Sequence, residues 1–300
     1  MDYLFYSILL NVWVFIAFRS FKTFKMGILP AVITNYFVCA LVGWAFTGFQ
    51  ALTLTAIIDA QWFPLAIIMG FLFISTFYTT ALVTQRFGVS IASIATRMSM
   101  VIPAVFALFI FNFQTTSFSA LNYLGLILAL LAVILSSYPD KSNLTHRSKL
   151  NVLLLPMLVF ILQGTIDALL NYGNAMLVPE KDAKLFTTII FLTAGSVGTI
   201  IMIYRRESFR IRSMIGGVYL GIPNYFSIYF ILLALSAFDN SGAFLFPMLN
   251  TGIIVVASLV AILLFHEKLN KLNYLGILLA ILAIYLISYQ EIHLTLNDGK

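Results

Sequence analysis

Long apolar runs, each closed by a short group of charged or turn-forming residues, set the pattern of this chain. They fall near 3–18, 27–48, 63–83, 89–111, 121–138, 152–177, 185–204, 214–238, 241–265 and 272–289. Most are about twice the 9–11 residues of a membrane β-strand and none alternates strictly, so the pattern predicts helices, ten of them crossing a membrane. The first and fifth runs are short. The break between the eighth and ninth rests on the segment from Phe238 to Gly242, and nine spans is the competing count.

The runs repeat. Asn122-Tyr123-Leu124-Gly125 recurs as Asn273-Tyr274-Leu275-Gly276, and residues 122–135 share nine identities with 273–286 at an offset of 151. Upstream, Ala81-Leu82 matches Ala234-Leu235 at an offset of 153. Leu- and Ala-rich helices can match by composition alone, but a shared tetrapeptide at the same place in both halves favours a true repeat. The expected organisation is a first five-helix repeat over 1–138, a cytoplasmic linker over 139–150 and a second five-helix repeat over 151–300. An odd number of helices per repeat inverts the second relative to the first.

Composition sharpens the class. Of 300 residues, 61% are hydrophobic and 9% charged, against roughly 25% charged in soluble domains. That excludes a soluble enzyme or a nucleic-acid binder and makes the lipid bilayer the surrounding partner. The start, Met1-Asp2-Tyr3, lacks a basic n-region, so the first run reads as a retained helix. Cys39 is the single cysteine, which forbids an internal disulfide.

The net charge of +6 is unevenly placed. Thirteen Lys and Arg fall in the odd-numbered loops, among them Arg19, Arg86, Arg205 and Lys268, and three fall on the opposite side. By the positive-inside rule the odd loops are cytoplasmic and both termini lie outside, in a multi-pass protein of the cytoplasmic (inner) membrane.

Specific residues carry a family resemblance. The segment 265–286 has Glu267 in the turn after a ninth helix, then the Asn-Tyr-Leu-Gly opening of a tenth, and 111–135 follows the same plan with Gln114 in place of the acid. Pro103 matches a proline of the fourth helix, while the second half has Pro247 earlier. In this the chain resembles the ten-helix EamA-like members of the drug/metabolite transporter superfamily. The resemblance implies an all-α bundle of two inverted five-helix repeats, transport by alternating access, and export.

Two charged residues fall inside the expected spans, Arg97 and Asp167. An ion in the hydrocarbon region is costly unless it faces a cavity or a partner, so both are candidate site residues. Ser90, Ser93 and Arg97 recur at helical steps, and Arg97 lies opposite Asn250 at the offset of 153. The bland reading is an arginine snorkelling to the interface. Gln163, Asp167, Asn171 and Asn174 form a polar stripe on the sixth span, read either as a cavity wall or as glue between helices. Asp167 is a candidate proton carrier or salt-bridge partner of Arg97, and Asn11 at most its neutral counterpart in the first half. Tyr78 and Tyr225 offer aromatic faces and hydroxyls, or serve as interface anchors. Gly70, Gly221 and Gly276 are expected at close helix contacts.

The expected substrate-binding set is Arg97, Asp167, Asn171, Tyr225, Asn250, Tyr78 and Gln163. His146, His266 and His293 lie outside the spans without metal-ligand spacing, and no phosphate-binding glycine loop occurs. No catalytic residue, metal or cofactor is expected. The expected function is secondary transport of a small polar organic metabolite, an amino acid or related carboxylate, by a monomer with a proton as the candidate coupling ion. The alternatives are a sugar, nucleobase or cationic drug-like solute, or a structural or lipid-handling membrane protein that transports nothing.

Overall fold

The computed structural model describes residues 2–46, 57–103, 119–137, 149–237 and 242–298. These form ten α-helices of ten residues or more. They are α1 (Asp2–Thr23), α2 (Ile28–Phe46), α3 (Phe63–Phe87), α4 (Val89–Met98), α5 (Ala120–Ser136), α6 (Lys149–Met176), α7 (Ala183–Tyr204), α8 (Ile211–Ala237), α9 (Gly242–Leu263) and α10 (Lys271–Asp298). Each expected run is occupied by one helix. Eight are long and apolar enough to cross a membrane, whereas α4, extended by a turn to Pro103, and α5 are shorter apolar helices. Helix α8 is described to Ala237 and helix α9 from Gly242, and the segment expected to divide them lies outside the described residues. Gln114, most of the linker and residues 238–241 lie outside the described residues.

Apolar composition drives the helices, because a chain in lipid must satisfy its backbone hydrogen bonds internally. Their ends are set locally. α1, α7 and α9 stop near Lys25, Arg206 and His266, each in the left-handed region with φ of 53°, 55° and 49°. After the first two, the next amide bonds back into the last turn, Met26 to Phe21 at 2.8 Å and Glu207 to Met202 at 3.1 Å, closing carbonyls left open by the helix end. Gly88 separates α3 from α4 at φ 107°, a conformation that an L side chain rarely adopts.

The packing follows a rule. α2 lies on α8 as α7 lies on α3, α1 on α8 as α6 on α3, α1 on α9 as α6 on α4, and α9 on α10 as α4 on α5. The contacts α5 with α10, α2 with α7 and α4 with α9 belong with them. Each of these larger contacts maps onto another, or onto itself, when each helix is exchanged with the one five places along, whereas the smaller contacts of α1 and α2 with α3, of α1 and α10 with α4, and of α5 with α6 do not.

The α5–α10 contact shows the rule at atomic scale. Asn122 Nδ2 donates to the Ile287 carbonyl at 2.7 Å, and Asn273 Nδ2 donates to the Ser136 carbonyl at 2.6 Å. Both donors and both acceptors are 151 residues apart. A Cβ on Gly125 would come within 2.9 Å of the Ile287 nitrogen, and one on Gly276 within 2.6 Å of the Ser136 nitrogen. Each asparagine also accepts, through Oδ1, an amide at its own helix start, Ser119 N and Asn270 N, both at 2.9 Å. Gly70 and Gly221 are close approaches too, their added Cβ meeting Thr193 and Val38.

The two ends of the bundle differ. Arg19 NH1 donates to the carbonyls of Thr84 (3.2 Å) and Gln85 (3.0 Å) and its Nε lies 3.9 Å from Glu267. At this same end Gly27 N donates to Ser213 Oγ at 2.9 Å. It gathers the basic first, third, seventh and ninth loops. At the opposite end Trp62 is buried against Phe186 and donates its indole N–H to Asp182 at 3.3 Å.

Candidate functional site

Helix α4 begins at the basic end, where its first amide, Val89 N–H, donates to Glu267 Oε1 at 2.9 Å. A carboxylate at a helix start satisfies an open donor and opposes the positive end of the helix dipole. Burial pushes the Glu267 carboxyl above the ordinary carboxylate range, while the Val89 amide and the Arg19 guanidinium pull it back. Anchored there, α4 runs into the middle of the bundle between α1, α6 and α9.

Its hydroxyls are largely spent on packing. Ser90 Oγ meets Ser258 Oγ on α9 at 3.1 Å, Ser93 Oγ donates to the Ser90 carbonyl at 2.8 Å, and Thr96 Oγ1 donates to the Ala92 carbonyl at 2.9 Å. Arg97 is different. Its NH2 donates to Asn11 Oδ1 on α1 at 2.8 Å, and its buried Nε has no hydrogen-bond partner.

Asp167 sits on the neighbouring α6, brought near by a close approach in which a Cβ on Gly164 would fall within 2.4 Å of Ile102 Cδ1. Gln163 Nε2 donates to Asp167 Oδ1 at 3.0 Å. Ser99 Oγ lies 3.2 Å from Asp167 Oδ2 and 2.6 Å from the Thr96 carbonyl, so two acceptors share its single proton. The ion pairs among the described residues are Arg19–Glu267 and Arg205–Glu207, and Arg97 and Asp167 do not form one. Their direct hydrogen bonds go to neutral groups, while each still feels the opposite charge of the other. Asn250 Nδ2 on α9 lies 3.7 Å from Met100 Sδ, just past the end of α4. The result is a polar centre built by α1, the α4 region, α6 and α9.

Of the expected residues, Arg97, Asp167, Gln163 and Asn250 meet along the α4 region. Three others have different surroundings. Asn171, one turn beyond Asp167, is exposed, and the Asn174 side chain lies outside the described ones. Tyr78 on α3 takes a hydrogen bond at 3.4 Å from Arg205 at the basic end. Tyr225 on α8 packs against Phe46 and Phe226.

A second polar cluster joins α2 to α8. Asn224 Nδ2 donates to Asn35 Oδ1 at 3.2 Å and lies 3.5 Å from Cys39 Sγ, which in turn lies 3.5 Å from the Gly221 carbonyl. Asn35 and Cys39 are fully buried. In the sequence the signal of Asn35 is an amide in an apolar run one turn before the cysteine.

The comparisons bear on the fold. A protein of Haemophilus influenzae, itself uncharacterized, is 26% identical over 301 residues, covering 97% of this chain and 99% of that one. A crystal structure of another protein superposes with a TM-score of 0.64 over 97% of both chains at 11% identity, a likeness of fold alone. No family model matches the chain. The protein is therefore a multi-pass membrane protein, all-helical among its described residues, whose fold recurs in a solved structure.

Proposed function

We propose that this chain is a secondary transporter of a small polar organic metabolite, an amino acid or related carboxylate, working by alternating access of two inverted five-helix repeats. The reading takes the ten helices as ten spans, with the basic end cytoplasmic and both termini outside in the cytoplasmic membrane. What supports the repeat is the exchange rule of the packing and the reciprocal Asn122 and Asn273 bonds. The orientation rests on the charge bias of the loops, and export on the resemblance to the EamA-like transporters.

The observation that carries the substrate class is the unspent donor of Arg97. A guanidinium has five N–H donors in a fixed fork suited to a carboxylate. Here one bond goes to a neutral amide oxygen, and the buried Nε has no acceptor. A solute carboxylate supplies the missing acceptor and places a negative charge in direct contact with the guanidinium. Asp167, holding one full and one shared donor, can receive an ammonium group from the same solute, which favours an amino acid. In the cycle Asp167 is the group that would exchange a proton for the solute.

The test is a thermal-shift screen of amino acids, carboxylates, sugars and organic cations on the purified protein, repeated with Arg97→Gln. Amino acids and carboxylates should stabilise the native protein and lose that effect in the variant. Stabilisation by carboxylates that survives Arg97→Gln removes the charge argument, and stabilisation by sugars or cations alone rejects the substrate class.

A further inference from the structure

Asn11 lies on α1 and is nearly buried. Its amide is oriented by Ser7, one turn earlier: Nδ2 donates to the Ser7 carbonyl at 2.9 Å and lies 3.4 Å from Ser7 Oγ. Ser7 Oγ in turn reaches the Ser227 carbonyl on α8 at 3.3 Å. With the nitrogen side of the amide committed, the oxygen faces Arg97 NH2 at 2.8 Å. A chain of contacts thus runs from α8 through α1 to the guanidinium on α4 and fixes where it points.

The chemistry of that partner matters more than its position. A buried guanidinium without a counter-charge is strongly unfavourable, and the usual remedy is a carboxylate. Aspartate differs from asparagine here by one atom, yet this position carries the neutral amide, and the nearest acid, Asp167, makes no ion pair with Arg97. Arg97 is therefore aimed by Asn11 but not neutralised by it.

We propose that Asn11 is a positioning residue that sets the charge of the site: it orients Arg97 while leaving its positive charge for the carboxylate of the solute. This rests on the transporter reading given above and deepens it. An aspartate at position 11 would keep the guanidinium aimed but occupy it permanently with a competing carboxylate. An alanine would leave the charge available and lose only the aim.

The two substitutions separate this role from a structural one. Packing alone makes Asn11→Asp, which keeps the shape, milder than Asn11→Ala, which leaves a cavity. Charge setting reverses that order. The experiment measures affinity for alanine, threonine, phenylalanine, lactate and succinate by thermal shift and equilibrium binding on the purified full chain. For the probes that bind the native protein, affinity should fall about threefold in Asn11→Ala and at least about tenfold in Asn11→Asp. Asn11→Asp binding as tightly as Asn11→Ala, or more tightly, overturns the proposal. Should the aspartate variant fail to fold, Asn11→Ser decides. Its hydroxyl keeps an oxygen acceptor for Arg97 and should hold affinity closer to native than alanine does, and equal affinities in native, Ser and Ala proteins overturn the positioning role. A native protein that binds none of the five probes overturns both readings, whereas binding with the wrong rank order removes the role of Asn11 alone.

Discussion

Across the α5–α10 contact, Asn122 is matched by Asn273, Gly125 by Gly276, and the carbonyl of Ile287 by that of Ser136. Around Arg97 the correspondence between halves fails. The residue 153 positions after Arg97 is Asn250, and the first helices of the two halves carry Asn11 and Asp167. One contact keeps the same side chains on both sides, while the other gathers a cation, an acid and two amides from the two halves. Close helix packing constrains both partners equally, so a contact that maps onto itself retains its pairs. A site that grips one asymmetric solute needs different groups on its different sides.

The largest expected effect breaks the first contact. Gly276→Val would drive a branched side chain into the backbone of Ser136, which already lies 2.6 Å from an ideal Cβ. With no flexible neighbour to give way, the loss should be about 3 kcal/mol or more, seen as a large drop in melting temperature or loss of folded protein. Gly125→Val should behave alike, because its neighbour is the Ile287 backbone. A variant that folds and melts as the native protein does would mean that the two helices are free to separate.

Breaking the second region should change binding rather than folding. Arg97→Gln removes an incompletely paired buried charge, so melting without solute should stay near native or rise. Carboxylate affinity should fall at least about tenfold, or about 1.4 kcal/mol. Asn250→Ala, at the corresponding place in the other half, should lose far less, since its described contact is the Met100 sulfur. Equal losses of affinity in the two variants would show a symmetric site and end the contrast.

A smaller and more symmetric effect is expected from the asparagines. Asn122→Ala and Asn273→Ala each strip a buried carbonyl of its side-chain donor and open a cap, at a cost of about 1–2 kcal/mol. The two should match each other and leave solute affinity unchanged, as chemical denaturation and the binding assay would report. A change in affinity from either would join the α5–α10 contact to the site.

The helices were legible because apolar runs bounded by charge admit little else in lipid. Arg97 and Asp167 were legible for the same reason, as the two charges in the expected spans. The Asn-Tyr-Leu-Gly repeat was legible as a repeat, but not what its asparagine does, since Asn122 and Asn273 find their carbonyls on a helix from the other half of the chain. Asn11 was missed as a partner of Arg97 for that reason too: 86 residues separate them, and nothing in a lone amide announces which neighbour it will face. For Tyr78 and Tyr225 the residue types suit a solute, and what the sequence did not announce is their neighbours, Arg205 for the first and Phe46 for the second.

The smallest effect concerns the turn that precedes α10 and its acid. Glu267 lies 153 positions after Gln114, so Glu267→Gln puts the same residue at that position of both halves. Burial holds the native carboxyl above its ordinary value of 4.5, against the pull of the Val89 amide and Arg19. The folded protein therefore binds this proton more tightly than the unfolded chain does. Its contribution to stability is fully present below the ordinary value and is lost as pH rises through the folded one. As pH rises from the ordinary value of 4.5 through the raised folded one, the native protein should accordingly lose slightly more stability than Glu267→Gln, whose neutral amide does not titrate. Melting temperatures of both proteins across that range, in one detergent and at fixed ionic strength, give the difference directly. Parallel profiles would mean that Glu267 is no more buried than a surface carboxylate, and that the anchoring of α4 at the basic end rests on Arg19 and the backbone alone.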